Sequence, residues 1–274
     1  MAPGLLLAGE VAVGARAVKD SQYWDDVGED WSARLPDSLW RSHSDAVNSG
    51  LLKRWVPEGP IGRVLKTDLF DEACTDGLAP FFAERGATLV GMDISAATIG
   101  AALRRRPEIS AVFADVRSLP FASGGFDLIV SNSTLDHFRT PEELVDSLAE
   151  LNRVLRPGGR LVLTLDNPLN PAVALRNALP FGLLNKIGLV PYFVGTTCGP
   201  GKLRRLLEAT GFRVDETTAA LHCPRALAVI ACRLAVGATD KSPILSFLTL
   251  FEGLERLPTR FLTGYFVAAS ATKA

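Results

Sequence analysis

From Arg63 onward, short apolar runs alternate with amphipathic helical stretches or loops, and this alternation restricts the chain to few architectures. The runs "RVLKTDL", "ATLVGMDI", "SAVFADV", "FDLIVSN" and "GRLVLTLD" read as strands. Strands separated in this way predict a parallel, doubly wound α/β sheet. Between the last two, "TPEELVDSLAELNRVLRPGG" has the marks of a helix: Thr140 as N-cap, Pro141 at the first position, acids in the first turn, and Gly158 and Gly159 beyond the end. At 274 residues, 47% of them hydrophobic, the chain is long enough to bury one sizeable core with additions around it.

The additions lie before and after these strands. Residues 1–60 read as an apolar arm followed by a helical cap, "YWDDVGEDWSARLPDSLWRSHSDAVNSGLLKRWVPEGP", whose large apolar residues keep a helical rhythm broken at Pro36. Such a stripe of aromatics is expected to pack against a core rather than hold a ligand. The main domain is expected over 61–274. It carries a lid at about 168–200, too rich in Pro and Gly for a core helix, and a helical insertion at about 224–258. Between and after these come a helix "GPGKLRRLLEATG" and the strands "FRVDETTAALH" and "GYFVAASAT".

A formal net charge of −1 offers no basic field for a nucleic-acid backbone, so a small-molecule partner is expected instead. Cys74, Cys198, Cys223 and Cys232 form no CxxC pair, which predicts free thiols in a cytoplasmic protein. Glu10, Arg16 and Lys19 interrupt the apolar N-terminus before it reaches the roughly 18 residues of a membrane span. His43 and His222 have no partner at metal-ligand spacing, and no metal is expected. The lid could touch a membrane surface, but its hydrophobic residues are not segregated on one helical face, which disfavours that reading.

In an open parallel sheet, ligands bind beyond the carboxyl ends of the strands. Asp93 ends the second strand, where a carboxylate can accept hydrogen bonds from both hydroxyls of a ribose; the alternative is a residue that merely caps the next helix with Ser95. Asp115 follows the third strand and could read an exocyclic amine such as that of adenine, with the Val116 amide donating to a ring nitrogen. The fourth strand ends at Asn132.

The segments "LVGMDIS", "ADVRSLPFASGGFDLIVSNSTLDHF" and "ELNRVLRPGGRLVLTLDNP" together resemble the class I S-adenosylmethionine-dependent methyltransferases, in particular the small-molecule branch of quinone biosynthesis. The resemblance covers roughly residues 62–166, and "GFRV" with "GYFVAASATK" matches the family's closing antiparallel strand pair. It implies a Rossmann-like seven-stranded sheet with S-adenosylmethionine as cofactor. By the same resemblance Asp93 holds the ribose hydroxyls, Ile94 flanks the adenine, Asp115 and Val116 read its edge, and Asn132 lies by the methionine part.

One motif departs from the family. Its first strand ends in an acid and a glycine-rich turn, because glycine lets the backbone pass close to the cofactor. Here "VLKTDLFDEACTDG" places Lys66 at the acid, Asp68 and Phe70 at glycines, and about four extra residues before the next strand. The backbone is therefore expected to run farther from the ligand. Either side chains of Thr67, Asp68, Asp71 or Glu72 replace the lost backbone contacts, the favoured outcome, or the pocket is damaged. The same acids disfavour a dinucleotide, whose pyrophosphate needs an uncrowded helix N-terminus.

Methyl transfer requires alignment of nucleophile and methyl group, and a base only when the nucleophile arrives protonated. His137, in "STLDHF" just after the fourth strand, stands near where the family's substrate pocket opens; it is either the base, oriented by Asp136, or a lining residue. The lid and the helices near 224–236 supply Phe, Leu, Ile and Tyr, which suits a partly apolar or aromatic substrate but equally an extra packing layer. A non-methylating enzyme that uses the sulfonium only as a charge, and a non-catalytic scaffold, are the competing readings.

Overall fold

A computed structural model describes residues 15–33, 38–186, 190, 192–234 and 242–274. Its centre is a seven-stranded sheet of order β3-β2-β1-β4-β5-β7-β6, with β1 Arg63–Lys66, β2 Thr88–Asp93, β3 Ser110–Phe113, β4 Phe126–Asn132, β5 Leu155–Asp166, β6 Phe212–Ala220 and β7 Phe266–Lys273. All neighbours among β1 to β5 are parallel, and β7 runs antiparallel to both β5 and β6. The expected doubly wound sheet with an antiparallel closing strand is thus present.

Strand sequences that are apolar on successive residues feed two cores, because neighbouring side chains leave a strand on opposite faces. Leu65, Ile129, Leu161 and Leu163 pack on one face with α6 Pro141–Val154 and α9 Pro200–Ala209, through Leu144, Leu148, Leu203 and Leu207. Val64, Leu128, Val130 and Val162 pack on the other with α2 Ser38–Trp55, α4 Ala79–Glu84 and α5 Ala96–Arg105, through Leu52, Trp55, Phe82 and Ile99. Each fully buried leucine contributes about 1.5–3 kcal/mol relative to exposure. Helix α6 starts as its sequence demands: Thr140 and Glu143 form a reciprocal capping box with Pro141 in the first turn.

Three boundaries differ from the sequence expectation. The first strand stops at Lys66, and the residues read as an extended loop contain a short helix, α3 Phe70–Cys74. The fifth strand begins at Leu155, where it pairs with Phe126, and its pairing resumes only at Arg160 opposite Leu128; Gly158, at φ +69°, lies in the irregular stretch between. Helix α1 spans Ala15–Ala33 and so begins inside the stretch read as an arm; residues 1–14 and Pro36 lie outside the described residues.

The lid stretch folds into α7 Pro171–Ala178, capped by the Asn170 side chain, and α8 Phe181–Lys186. The helical insertion forms α10 Arg225–Leu234, α11 Ser242–Leu250 and a 3-10 turn over Phe251–Arg256, before α12 Arg260–Thr263. Its apolar residues pack on the N-terminal cap: Trp40 of α2 lies against Ile244 of α11 and beside the buried Leu39 and Leu248. The two additions are therefore one layer in space.

Candidate active site

The order of strands reverses between β1 and β4, so the crevice at their carboxyl ends is where this sheet can take a ligand. Two acids and a hydroxyl chain line its floor. Thr67, just beyond β1, is 2% exposed, and its hydroxyl lies 2.9 Å from both Ser131 Oγ and Thr134 Oγ1. Thr134 in turn donates to Asp68 Oδ2 at 3.2 Å. This chain ties the turn after β1 to the turn after β4.

Asp93 stands where the sequence places it, at the end of β2 and 8% exposed. Its Oδ1 accepts the Ser95 N–H at 2.8 Å and its Oδ2 accepts the Leu69 N–H at 3.0 Å. Burial pushes its pKa up to about 7, against the pull of those two backbone bonds. The capping alternative is also partly realised, since Ser95 caps α5 through Thr98 N–H. A carboxylate offers about four lone-pair sites, however, so one on each Asp93 oxygen is left for a ligand.

The turn after β1 does not withdraw from this point, as the extra residues had suggested. It comes within a hydrogen bond of Asp93, because the additional length coils away into α3. Gly91 lies beneath the Leu69 side chain of that turn: a Cβ there would lie 2.3 Å from Leu69 Cδ2. Lys66, at the end of β1, is 0% exposed and meets Glu72 at 2.9 Å, Asp68 at 3.2 Å and Asp71 at 3.9 Å.

Ile94 is half-buried and Val116 is buried in the core. Asp115 accepts from the Arg117 backbone N–H at 2.9 Å and from its guanidinium at 2.6–3.0 Å. Arg117 also pairs with Asp20 of α1 at 2.8 Å and with Glu143 of α6. Asp115 is thus the anchor of an arginine.

On the β4 side, Asn132 is 9% exposed and its buried Nδ2 has no hydrogen-bond partner. The next residue, Ser133, holds φ +48°, a left-handed conformation uncommon outside glycine. It places Ser133 Oγ on Asp136 Oδ2 at 2.8 Å, and the same Oδ2 accepts the Asp166 N–H at 3.0 Å. Asp136 Oδ1 is buried without a hydrogen bond, 3.7 Å from His137 Nε2.

The 168–200 stretch holds His137 by the ring nitrogen opposite the one that faces Asp136. His137 Nδ1 lies 2.8 Å from the Phe193 carbonyl oxygen, which can only accept, so Nδ1 carries the hydrogen and a neutral ring has its lone pair on Nε2. The lid is clipped there by Gly195 N–H to Asp136 O and Thr196 N–H to Phe138 O, each at 2.8 Å. Gly195 permits the contact, since a Cβ would lie 2.1 Å from the Phe138 carbonyl oxygen.

Two residues of this site, Arg176 and Tyr265, had no distinguishing signal in the sequence. Arg176 of α7 pairs with Asp166 at 2.5 Å and reaches Tyr265 Oη at 3.2 Å. Burial, reinforced by Asp136 and opposed by Arg176, holds the Asp166 carboxyl at about 6. Asn167 is a turn residue, its side chain spent on the Phe261 and Gly264 carbonyls and the Leu169 N–H. Helix α1 closes the arrangement. Asp25 accepts from Ser95 Oγ and Ala97 N–H, Tyr23 Oη accepts the Phe193 N–H, and the Trp24 ring stands 4.7 Å from His137 and 6.0 Å from Tyr192.

A parallel sheet that reverses between β1 and β4, with an acid at the end of β2 facing the crevice, defines a Rossmann-like ligand-binding protein. A family described as a methyltransferase domain matches residues 71–163. The chain is 32% identical to the demethylmenaquinone methyltransferase of Thermus thermophilus, in an alignment covering 51% of this chain and 71% of that protein. It belongs to the class I S-adenosylmethionine-dependent methyltransferases. The demethylmenaquinone methyltransferase of Renibacterium salmoninarum is 31% identical over 44% of this chain, which spans about half, 51%, of that relative's length. Among solved structures, the [4+2]-cyclase SpnF shares the fold with a TM-score of 0.54 at 17% identity, over 84% of this chain and 80% of that one. No helix of the described residues is long and apolar enough to cross a membrane.

Proposed function

We propose that this chain transfers a methyl group from S-adenosylmethionine to a partly apolar small molecule, by in-line displacement at the sulfonium methyl. The cofactor supplies a carbon already activated by positive sulfur. The observation that carries the reading is the pairing of Asp93, held in place by two backbone amides with acceptor capacity left over, with the unpartnered buried donor Asn132 Nδ2 across the same crevice.

On this reading Asp93 accepts the ribose hydroxyls and Ile94 covers one adenine face. Asp115 and Val116 meet the adenine edge, with Arg117 fixing the Asp115 plane. Asn132 donates to the methionine carboxylate. Thr67 acts through its hydroxyl chain, which aims Asp68 at the methionine ammonium. The acids here suit a sulfonium better than a pyrophosphate.

His137 takes the proton of an acceptor hydroxyl or amine on Nε2, while its Nδ1–H stays on the Phe193 carbonyl. Asp136 Oδ1 faces the resulting imidazolium. Trp24 and Tyr192 flank the ring, exclude water and offer aromatic surface to the acceptor. The substrate class follows from this wall and from the apolar lid.

Calorimetric titration with S-adenosylhomocysteine tests the donor half: micromolar binding is expected, and absence of heat at millimolar ligand overturns the reading. Labelled methyl transfer to a panel of phenolic and isoprenoid acceptors tests the other half. Binding without transfer to any of them would favour the sulfonium acting only as a charge.

A further inference from the structure

Lys66, which stands where the family has an acid, is a fully enclosed charge in the crevice wall. Its ammonium has three hydrogens and three oxygens within reach: Asp68 O at 3.0 Å, Asp68 Oδ1 at 3.2 Å and Glu72 Oε2 at 2.9 Å. Burial alone would lower its pKa, but Asp68, Glu72 and Asp71 outweigh burial and hold it well above 10.5, so it stays charged at every working pH.

Each contact fixes a different part of the turn. The first two hold Asp68 by backbone and side chain together, leaving its Oδ2 toward Thr134 and the crevice. The third holds Glu72, whose Oε1 accepts the Leu78 N–H at 3.0 Å and closes the turn into α4. Gly77, at φ +55°, makes room for that carboxylate, since a Cβ there would lie 2.4 Å from Glu72 Oε1. Asp71 extends the cage to α2 through Arg41 at 3.1 Å. Between the pinned residues 68 and 72 lies Leu69, whose N–H reaches Asp93.

Resting on the methyltransferase reading above, the geometry points to Lys66 as a positioning residue of the donor site. Its buried ammonium gathers Asp68, Asp71 and Glu72 so that the turn presents the Leu69 N–H to Asp93 and the Asp68 carboxylate to the crevice. An inward-facing cation thereby replaces the flexible glycine turn: the backbone is brought close by electrostatic attraction to a point beneath it. Lys66 itself touches no part of the reaction.

The test compares K66M, E72Q and the double variant K66M/E72Q with the wild type, reading S-adenosylhomocysteine affinity by calorimetry, Tm, and amide hydrogen exchange at Leu69 with Leu163 as an internal reference. K66M strands a buried carboxylate and is expected to lower Tm, to weaken binding at least tenfold, and to speed exchange at Leu69 at least tenfold with Leu163 unchanged. The double variant removes the Glu72 charge that K66M strands, while Asp68 keeps its Thr134 partner. It is expected to recover Tm while binding and Leu69 protection stay lost. E72Q keeps both Asp68 contacts but gives up one corner of the cage, and is expected to weaken binding less than K66M does.

Recovery of affinity together with Tm in the double variant would reduce Lys66 to a charge-balancing partner and overturn the proposal. So would unchanged Leu69 protection in whichever of the two Lys66 variants folds. If the wild type itself fails to bind, the methyltransferase reading falls, and the exchange data still decide whether Lys66 positions the turn.

Discussion

The two rims of the crevice solve opposite problems with the same residue types. On the β1–β2 rim every carboxylate has a partner: Asp93 holds two amides, Asp115 holds Arg117, and Asp68, Asp71 and Glu72 surround Lys66. On the β4–β5 rim, Asn132 Nδ2 and Asp136 Oδ1 are buried without hydrogen bonds, and His137 is held through Nδ1 on the Phe193 carbonyl. An unmet buried polar atom costs about 1–3 kcal/mol, so it persists where something else is gained. The first rim is organised in advance, and the second holds its capacity in reserve for what enters.

The contrast can be broken on the reserve side first. H137Q is expected to lower kcat by about 10²–10⁴-fold, the usual loss of a general base, while S-adenosylhomocysteine affinity stays within about threefold. Parallel losses in both would make His137 a binding residue instead. On the organised side, D93N puts an amide NH₂ against one of two backbone donors and removes the charge. Losing charge-assisted bonds worth about 1.5–3 kcal/mol each, it is expected to weaken S-adenosylhomocysteine by about 10²-fold and to lower stability in urea unfolding.

A smaller effect follows from the Asp93 pKa of about 7, raised by burial from an ordinary 3.8. Between those values the folded protein keeps a proton that the unfolded chain has released. Stability from this group is therefore full below the lower value and is lost as pH rises through the upper one. Ligand binding runs the other way, because only the anion accepts two hydroxyls. Affinity for S-adenosylhomocysteine is expected to rise about tenfold per pH unit up to about 7 and then level, and D93N is expected to flatten that slope. A flat wild-type profile from pH 6 to 8 would show the carboxylate ionised throughout.

The smallest change sharpens the comparison at its border. D25A removes the acceptor shared by Ser95 Oγ and Ala97 N–H and is expected to cost about 1 kcal/mol, as for a lost helix cap, with faster amide exchange in α1. Unchanged exchange in α1 would mean that its aromatic contacts alone hold it.

What the sequence displayed was whatever depends on local pattern. The alternation of strands and helices, the Thr140 capping box and the position of Asp93 are each written in a few consecutive residues, and the structure has them in place. The turn after β1 was legible as a departure but not as a solution. Its acids are visible at 68, 71 and 72, yet nothing local says that Lys66 points inward among them, since β1 gives alternate residues to opposite faces but not to a charged cage at its end. Helix α1 was harder still. Asp20, Tyr23, Trp24 and Asp25 acquire meaning only through partners at Arg117, Phe193, His137 and Ser95, all more than sixty residues away, and a helical aromatic stripe reads as packing until its neighbours are known.

That first helix is fastened to both rims at once, by Asp20 and Asp25 on one and by Tyr23 and Trp24 on the other. Any displacement of α1 therefore acts on both sides of the crevice together, through the contacts of four side chains between positions 20 and 25.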